Sequence, residues 1–436
     1  MHRRFALLSS LALLTAAGPA GAFTTATTDD GADLRWDTED PVPFRFHFRG
    51  SDDLQMLELE RLTRTAFSTW ALVPEADVDI EEGRIYTGPA AHHDGPSEVD
   101  GQSAIFFVEG LWPFGSEVIA LTSVSFASDG QILDADIAFN GADHTFTTVD
   151  AGGVKDYLSI ATHEVGHFLG LAHPEPDVPS ATMTAQYEDG DIFLRDLDPD
   201  DAAGLAFLYP CASVPCVGTV GWAKRRNGCA LGAEAPTGWA MLIGLGLAGV
   251  LVVRRRRDLA PRAAGLIVLA LLVVPRPAAS TFVEELQVAD LAAGADRVVL
   301  AEVVDVEARF DGIVRRTATL QVLEDWAGKG SARVQVELLG GELDTPVDVR
   351  TADGRILPLK GTRVFGEADV VAGETVVAVL DGARVRGLAQ GLFHVEDDGR
   401  VWRDLSGLVL ARTDRGLPIP VTAPDTLEGL QAALVE

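Results

Sequence analysis

Cysteine is scarce in this chain. Its 436 residues hold three, Cys211, Cys216 and Cys229, all in one short stretch, so no disulfide framework staples the folded domains together. Basic residues are also few, 35 against 65 acidic ones. The resulting net charge of −30 argues against nucleic acid or an anionic lipid surface as a partner and favours plain solubility. Long apolar runs are missing too. Residues 237–253 carry no charge, but such a run spans only about 25 Å as a helix, the low end for a bilayer crossing. The length leaves room for two or three domains, each able to bury a core.

The N-terminus has an export pattern. His2-Arg3-Arg4 precedes the apolar run 5–17, which is too short to span a membrane, and Ala20-Gly21-Ala22 closes it. This is the grammar of a signal peptide, residues 1–22, cut after Ala22. The protein is expected to be exported.

The stretch from His163 to His173 carries the chemistry: His-Glu-Val-Gly-His-Phe-Leu-Gly-Leu-Ala-His. His163 and His167 are four residues apart and share a face of a helix. Two neutral imidazoles so placed can hold one Zn²⁺, with Glu164 in reach of water at the metal. Gly170 permits the left-handed turn that ends a helix, which brings His173 back as a third ligand. Three protein ligands leave the fourth position open, as a catalytic zinc ion needs. The bland alternative is an amphipathic helix with incidental histidines, and the register of five residues speaks against it.

Around this stretch, residues 33–210 read as one α/β (α+β) domain with a mixed sheet. Strands are expected at 43–48, 78–80 and 104–108, and a helix at 52–71, where Leu59, Leu62, Ala66, Phe67 and Trp70 recur at helical spacing. Residues 118–126 and 132–139 flank Ser128-Asp129-Gly130 as a hairpin. Asp156 is placed to cap the helix that carries His163, and a last helix is expected over 200–209. The strand 118–126 is a candidate edge that takes an extended substrate by strand addition. His92-His93 with Asp94 reads as a surface loop rather than a second metal site, and His144 beside Asp143 as a solvated loop pair.

With its glycine and third histidine, the motif resembles the metzincin zinc endopeptidases. Met183, ten residues after His173, falls where their Met-turn belongs, as an apolar floor under the histidines rather than a ligand. Leu34-Arg35-Trp36, Ala66-Phe67 with Trp70, Ala135-Asp136-Ile137, and 197–209 with Asp200 and Asp201 resemble the matrixin branch. The resemblance implies a metzincin-like catalytic domain with a twisted sheet and an active-site helix. It implies one catalytic Zn²⁺ on His163, His167 and His173, with Glu164 as general base and with Gly170 and Met183 as structural support. It departs from the animal matrixins in three places. No prodomain fits between Ala22 and Asp33, no cysteine there can cap the zinc, and the segment holding their structural zinc and calcium is not recognisable, so calcium is unsupported.

Residues 211–236 form a cysteine-containing linker in which Cys211 and Cys216 are near enough to pair. Residues 237–257, an apolar run ending in Arg254-Arg255-Arg256-Arg257, are a candidate membrane or sorting segment and resemble MYXO-CTERM-type tails. Residues 263–280 repeat the signal-peptide grammar, so the chain reads either as a helical hairpin or as two exported proteins joined end to end. Residues 281–436 read as a separate, mostly β domain with strands near 297–309, 317–323, 333–339, 375–380 and 391–395, and a short helix near 284–293. Gly387-Leu388-Ala389-Gln390-Gly391 with Phe393 resembles an uncharacterised class of secreted β domains.

The expected function is an exported zinc metalloendopeptidase acting on protein or peptide substrates, either anchored at the cell surface through 237–253 or secreted after processing. The other reading is a surface binding or adhesion protein that keeps the fold without turnover.

Overall fold

In the N-terminal half, apolar residues recur at helical spacing over Leu59–Trp70 and fill the strands behind it, and these two faces close on each other. The computed structural model describes residues 22–88, 99–148, 154–212, 216–222, 281–412 and 424–435. All of these fall in one compact unit, residues 1–223 together with 277–436.

The elements of the first half run β1 (Thr24–Thr25), β2 (Val42–Phe46), α1 (Met56–Ala71), β3 (Ile80–Glu82), β4 (Ala104–Val108), β5 (Val118–Phe126) and β6 (Ile132–Asn140). Then follow β7 (Phe146–Thr147), β8 (Lys155–Asp156), α2 (Tyr157–Phe168), β9 (Leu171–Ala172), β10 (Gln186–Glu188), α3 (Pro199–Leu208) and β11 (Val220–Gly221). The first helix begins later than its periodicity suggests, because Ser51 Oγ accepts from the Asp53 amide and holds a turn ahead of it. Strands β3, β2, β4 and β6 lie side by side in parallel, and β5 returns antiparallel to β6. Helices α1 and α2 cover one face of this mixed sheet. Phe44, Phe67, Trp70, Phe107, Phe139, Tyr157 and Phe168 are buried between the layers, and Phe44 stacks on Phe67 with centroids 4.1 Å apart.

The C-terminal half is mostly β, as its sequence suggests: β12 (Thr281–Glu284), α4 (Val288–Ala292), β13 (Arg297–Phe310), β14 (Val314–Ala327), β15 (Arg333–Leu339), β16 (Gly341–Arg350) and β17 (Ile356–Val364). It closes with β18 (Thr375–Asp381), β19 (Arg384–Val385), β20 (Leu392–Val395), β21 (Val401–Trp402), β22 (Leu408–Arg412) and α5 (Leu427–Val435). Strands β15-β14-β13-β18-β20-β21 make a sheet of its own, with β19 on β18. Alternate residues of β13 and β18 face opposite sides, as the two-residue period of a strand requires. Val299, Ala301, Val376 and Ala378 enter one core, while Val298, Leu300, Val377 and Val379 pack with Leu430 and Leu434 of α5.

The remaining strands of this half do something the sequence did not announce. Strands β12, β17 and β22 join the sheet of the N-terminal half, whose order runs β10-β22-β12-β5-β6-β4-β2-β3-β11, with β17 also on β5 and β16 on β17. Among the described residues no helix is long and apolar enough to cross a membrane. The candidate segments 237–257 and 263–280, Cys229 and the His92-His93-Asp94 loop lie outside the described residues.

Candidate active site

Helix α2 is buried along its whole length. Its first turn is fixed by Asp156, whose carboxylate accepts from the Ser159 amide at 2.8 Å and pairs with Arg195. Such a cap satisfies one of the free amides of a helix start and contributes about 1 kcal/mol. The other end is set by Gly170, at φ +95°, where a Cβ would lie 2.1 Å from the Leu34 carbonyl oxygen. Only glycine fits there. The chain turns, and His173 comes back over the helix.

The three histidines meet as their spacing implies. His163, His167 and His173 are each buried, and a ligand atom from each lies within 4.8 Å of the others. Each Nδ1 faces a carbonyl oxygen: His163 that of Thr182 at 2.5 Å, His167 that of Leu171 at 2.8 Å and His173 that of Ser406 at 2.9 Å. A carbonyl only accepts, so each Nδ1 carries the proton and each Nε2 presents a lone pair inward. The Nε2 atoms of His163 and His167 are 2.8 Å apart, and those of His163 and His173 are 3.3 Å apart. Lone pairs that close repel unless a cation sits between them. Tetrahedral zinc with bonds of about 2.0–2.1 Å places its nitrogens about 3.3 Å apart, so the donor set fits that ion. Burial keeps the rings neutral, pushing His163 down to about 3 and His167 and His173 well below their usual value.

Glu164 is fully buried beside them. Thr122 Oγ1 donates to its Oε2, while Oε1 has no hydrogen-bond partner of good geometry. Burial raises the carboxyl to about 8, opposed by the Thr122 hydroxyl and by the nearby Phe282 main-chain amide. A buried carboxyl beside the three histidines, with one oxygen uncommitted, is placed for proton transfer.

Below the histidines, Met183 Sδ lies against Gly166 of α2. Asp201 holds the Met183 turn, because its carboxylate accepts from the amides of Thr182 at 2.7 Å and Met183 at 3.0 Å. Asp200 binds the Ala22 amide at 2.6 Å. Both aspartates are structural, as their resemblance to the matrixin closing helix implies. His144 is a correction. It is buried rather than solvated, with Nδ1 3.8 Å from the Glu284 carboxylate, because β12 covers it, and Asp143 instead accepts from the Asn140 side chain.

Sequence reasoning missed four residues here: Thr122, Phe282, Phe365 and Ser406. Three of them come from the C-terminal half. Phe282 stands edge-on over His163 with centroids 4.8 Å apart, and Phe365 stacks on His167 at 4.5 Å. Strand β5, expected as an open edge, is covered over its full length, and all nine of its residues are buried. Its composition held a signal. Val-Ile-Ala-Leu-Thr-Ser-Val-Ser-Phe does not alternate cleanly between apolar and polar, as a strand covered on both faces need not.

With this geometry the comparisons with known proteins agree. The matrixin family model matches residues 35–210. Residues 35–210 are matrixin-like. Over 166 residues the chain is 27% identical to matrix metalloproteinase-2 of Drosophila melanogaster, covering 35% of this chain and 18% of that protein. Over 89 residues it is 36% identical to the probable matrix metalloproteinase 095L of Invertebrate iridescent virus 3, covering 20% and 23%. Over 80 residues it is 39% identical to matrilysin of Rattus norvegicus, covering 18% and 28%. The chain thus spans less than a third of each of these relatives.

Proposed function

We propose that the matrixin-like domain is a zinc metalloendopeptidase. The observation that carries this reading is the convergence of the His163, His167 and His173 Nε2 lone pairs beside a buried Glu164 with one uncommitted oxygen. Zinc held by the three histidines would supply Lewis acidity, polarising a peptide carbonyl and acidifying water. Glu164 takes the proton from the attacking water and returns it to the leaving amine. Thr122 holds the Glu164 carboxylate through Oε2, so Oε1 is the oxygen that moves the proton. The carbonyls of Thr182, Leu171 and Ser406 keep the imidazoles in the tautomer that binds metal. The substrate is an extended peptide. Export is supported by the signal-peptide grammar of residues 1–22 and by the Cys211–Cys216 disulfide, a bond of oxidising compartments.

Because β12 lies over the histidines, the test uses the full-length chain carrying F282A and F365A. Metal analysis should find one zinc per chain, and a peptide library should be cut in a chelator-sensitive way. Adding Glu164→Ala should leave the zinc in place and stop the cutting. A zinc-loaded, folded F282A/F365A chain that cuts nothing would overturn the hydrolytic reading in favour of a binding protein.

A further inference from the structure

The C-terminal half pairs along β5, the strand expected as an edge for an extended peptide. Strand β12 runs antiparallel to β5, with Phe282 opposite Ala120 and Val283 opposite Val118, and the Glu284 amide donates to the Glu117 carbonyl at 2.7 Å. Strand β17 takes the rest of the same edge, pairing Val364 with Ser123 through to Gly361 with Phe126. On its other side β12 pairs with β22, and β22 pairs with β10, just beyond Met183. Strands β12 and β22 therefore lie between β5 and β10 in the sheet.

The contact is built rather than incidental. Thr281, Phe282, Val283 and Phe365 are wholly buried. Thr281 Oγ1 donates to the Phe365 carbonyl, which ties the two inserted segments to each other. Ser406 holds His173, and the Ser125 and Thr362 hydroxyls are 2.8 Å apart across the β5–β17 seam. At the end of β12, the buried Lys155 ammonium lies 2.7 Å from Asp189 and 3.4 Å from Glu284. Arg363 donates to the Thr27 carbonyl, and Arg355 to that of Gly101. Main-chain pairing of this kind is how a groove beside a strand takes a peptide. Here both the strand and the aromatic plug come from the chain itself.

We propose that the C-terminal half is a protein inhibitor of the matrixin-like domain. Thr281–Glu284 pairs along the substrate-binding strand, and Phe282 and Phe365 close the histidine site. This rests on the protease reading, and its test separates the two.

The zinc-loaded, full-length chain is compared with F282A/F365A in peptide hydrolysis, in binding of a peptide hydroxamate, and in hydrogen exchange of the β5 amides, the last also without metal. The unmodified chain should cut peptide slower on the order of a hundredfold, since each removed ring is a large buried anchor. It should leave the hydroxamate unbound, and its β5 amides should exchange as slowly as those of α2. Equal rates in the two chains, or a cut between Thr281 and Glu284 that marks the segment as substrate, would overturn the proposal. If neither chain cuts peptide, the protease reading fails, and the hydroxamate still decides the inhibitory contact: binding to the variant alone supports it, and binding to both overturns it. If the variant does not fold, exchange in the unmodified chain decides, and fast-exchanging β5 amides would overturn the contact.

Discussion

Met183 Sδ lies so close under Gly166 that a Cβ added there would come within 2.2 Å of it and within 2.8 Å of the Trp70 ring. Gly166 is thus the point at which α2 settles onto its apolar floor. In Gly166→Ala the gain in helix propensity, about 1 kcal/mol, is outweighed by overpacking of about 1–3 kcal/mol. The melting temperature should fall. An unchanged melting temperature would mean that Met183 can move aside freely.

Glu164→Gln keeps the shape of the side chain and removes its basicity. In the F282A/F365A chain it should retain one zinc and lower peptide turnover by about 10²–10⁴-fold. Metal analysis and steady-state rates check this together. Turnover at the parent rate would remove Glu164 from its role as base.

Asp201 predicts a pH effect of definite sign. Burial raises its carboxyl from 3.8 to about 6, against three main-chain amides that favour the charged form. The folded state therefore keeps this proton to higher pH than the unfolded state. The corresponding stability is fully present below about pH 4 and is lost as pH rises to about 6, at most about 3 kcal/mol in all. Asp201→Asn cannot accept from all three amides, so it should be less stable throughout, and it lacks this slope. The gap between the two chains in urea midpoints should narrow from pH 4 to pH 6. A gap that widens over that range would contradict the raised carboxyl.

Lys155 bridges the two halves of the chain. Lys155→Met leaves the buried Asp189 carboxylate without this cation, and breaking one side of a buried pair costs about 3–5 kcal/mol. The urea midpoint should fall, and the amides of β12 should exchange faster. Unaltered exchange in β12 would show that the strand is held without this ion pair.

The sequence by itself determined how the three histidines converge. The eleven residues from His163 to His173 decide it locally: helical spacing aligns His163 and His167, Asp156 caps the first turn, and Gly170 adopts φ +95° so that His173 can return. The β5–β6 hairpin was legible for the same reason, since a short turn and two flanking runs fix each other's register.

What only the tertiary structure decided is where the C-terminal half goes. Strands β12, β17 and β22 carry the ordinary marks of β-strands, and nothing in a strand's own residues names its partner. Their pairing with β5 and β10 depends on main-chain groups that every residue carries. Phe282 and Phe365 find His163 and His167 across separations of more than a hundred residues. Local pattern fixes the three histidines, while long-range strand pairing fixes what covers them.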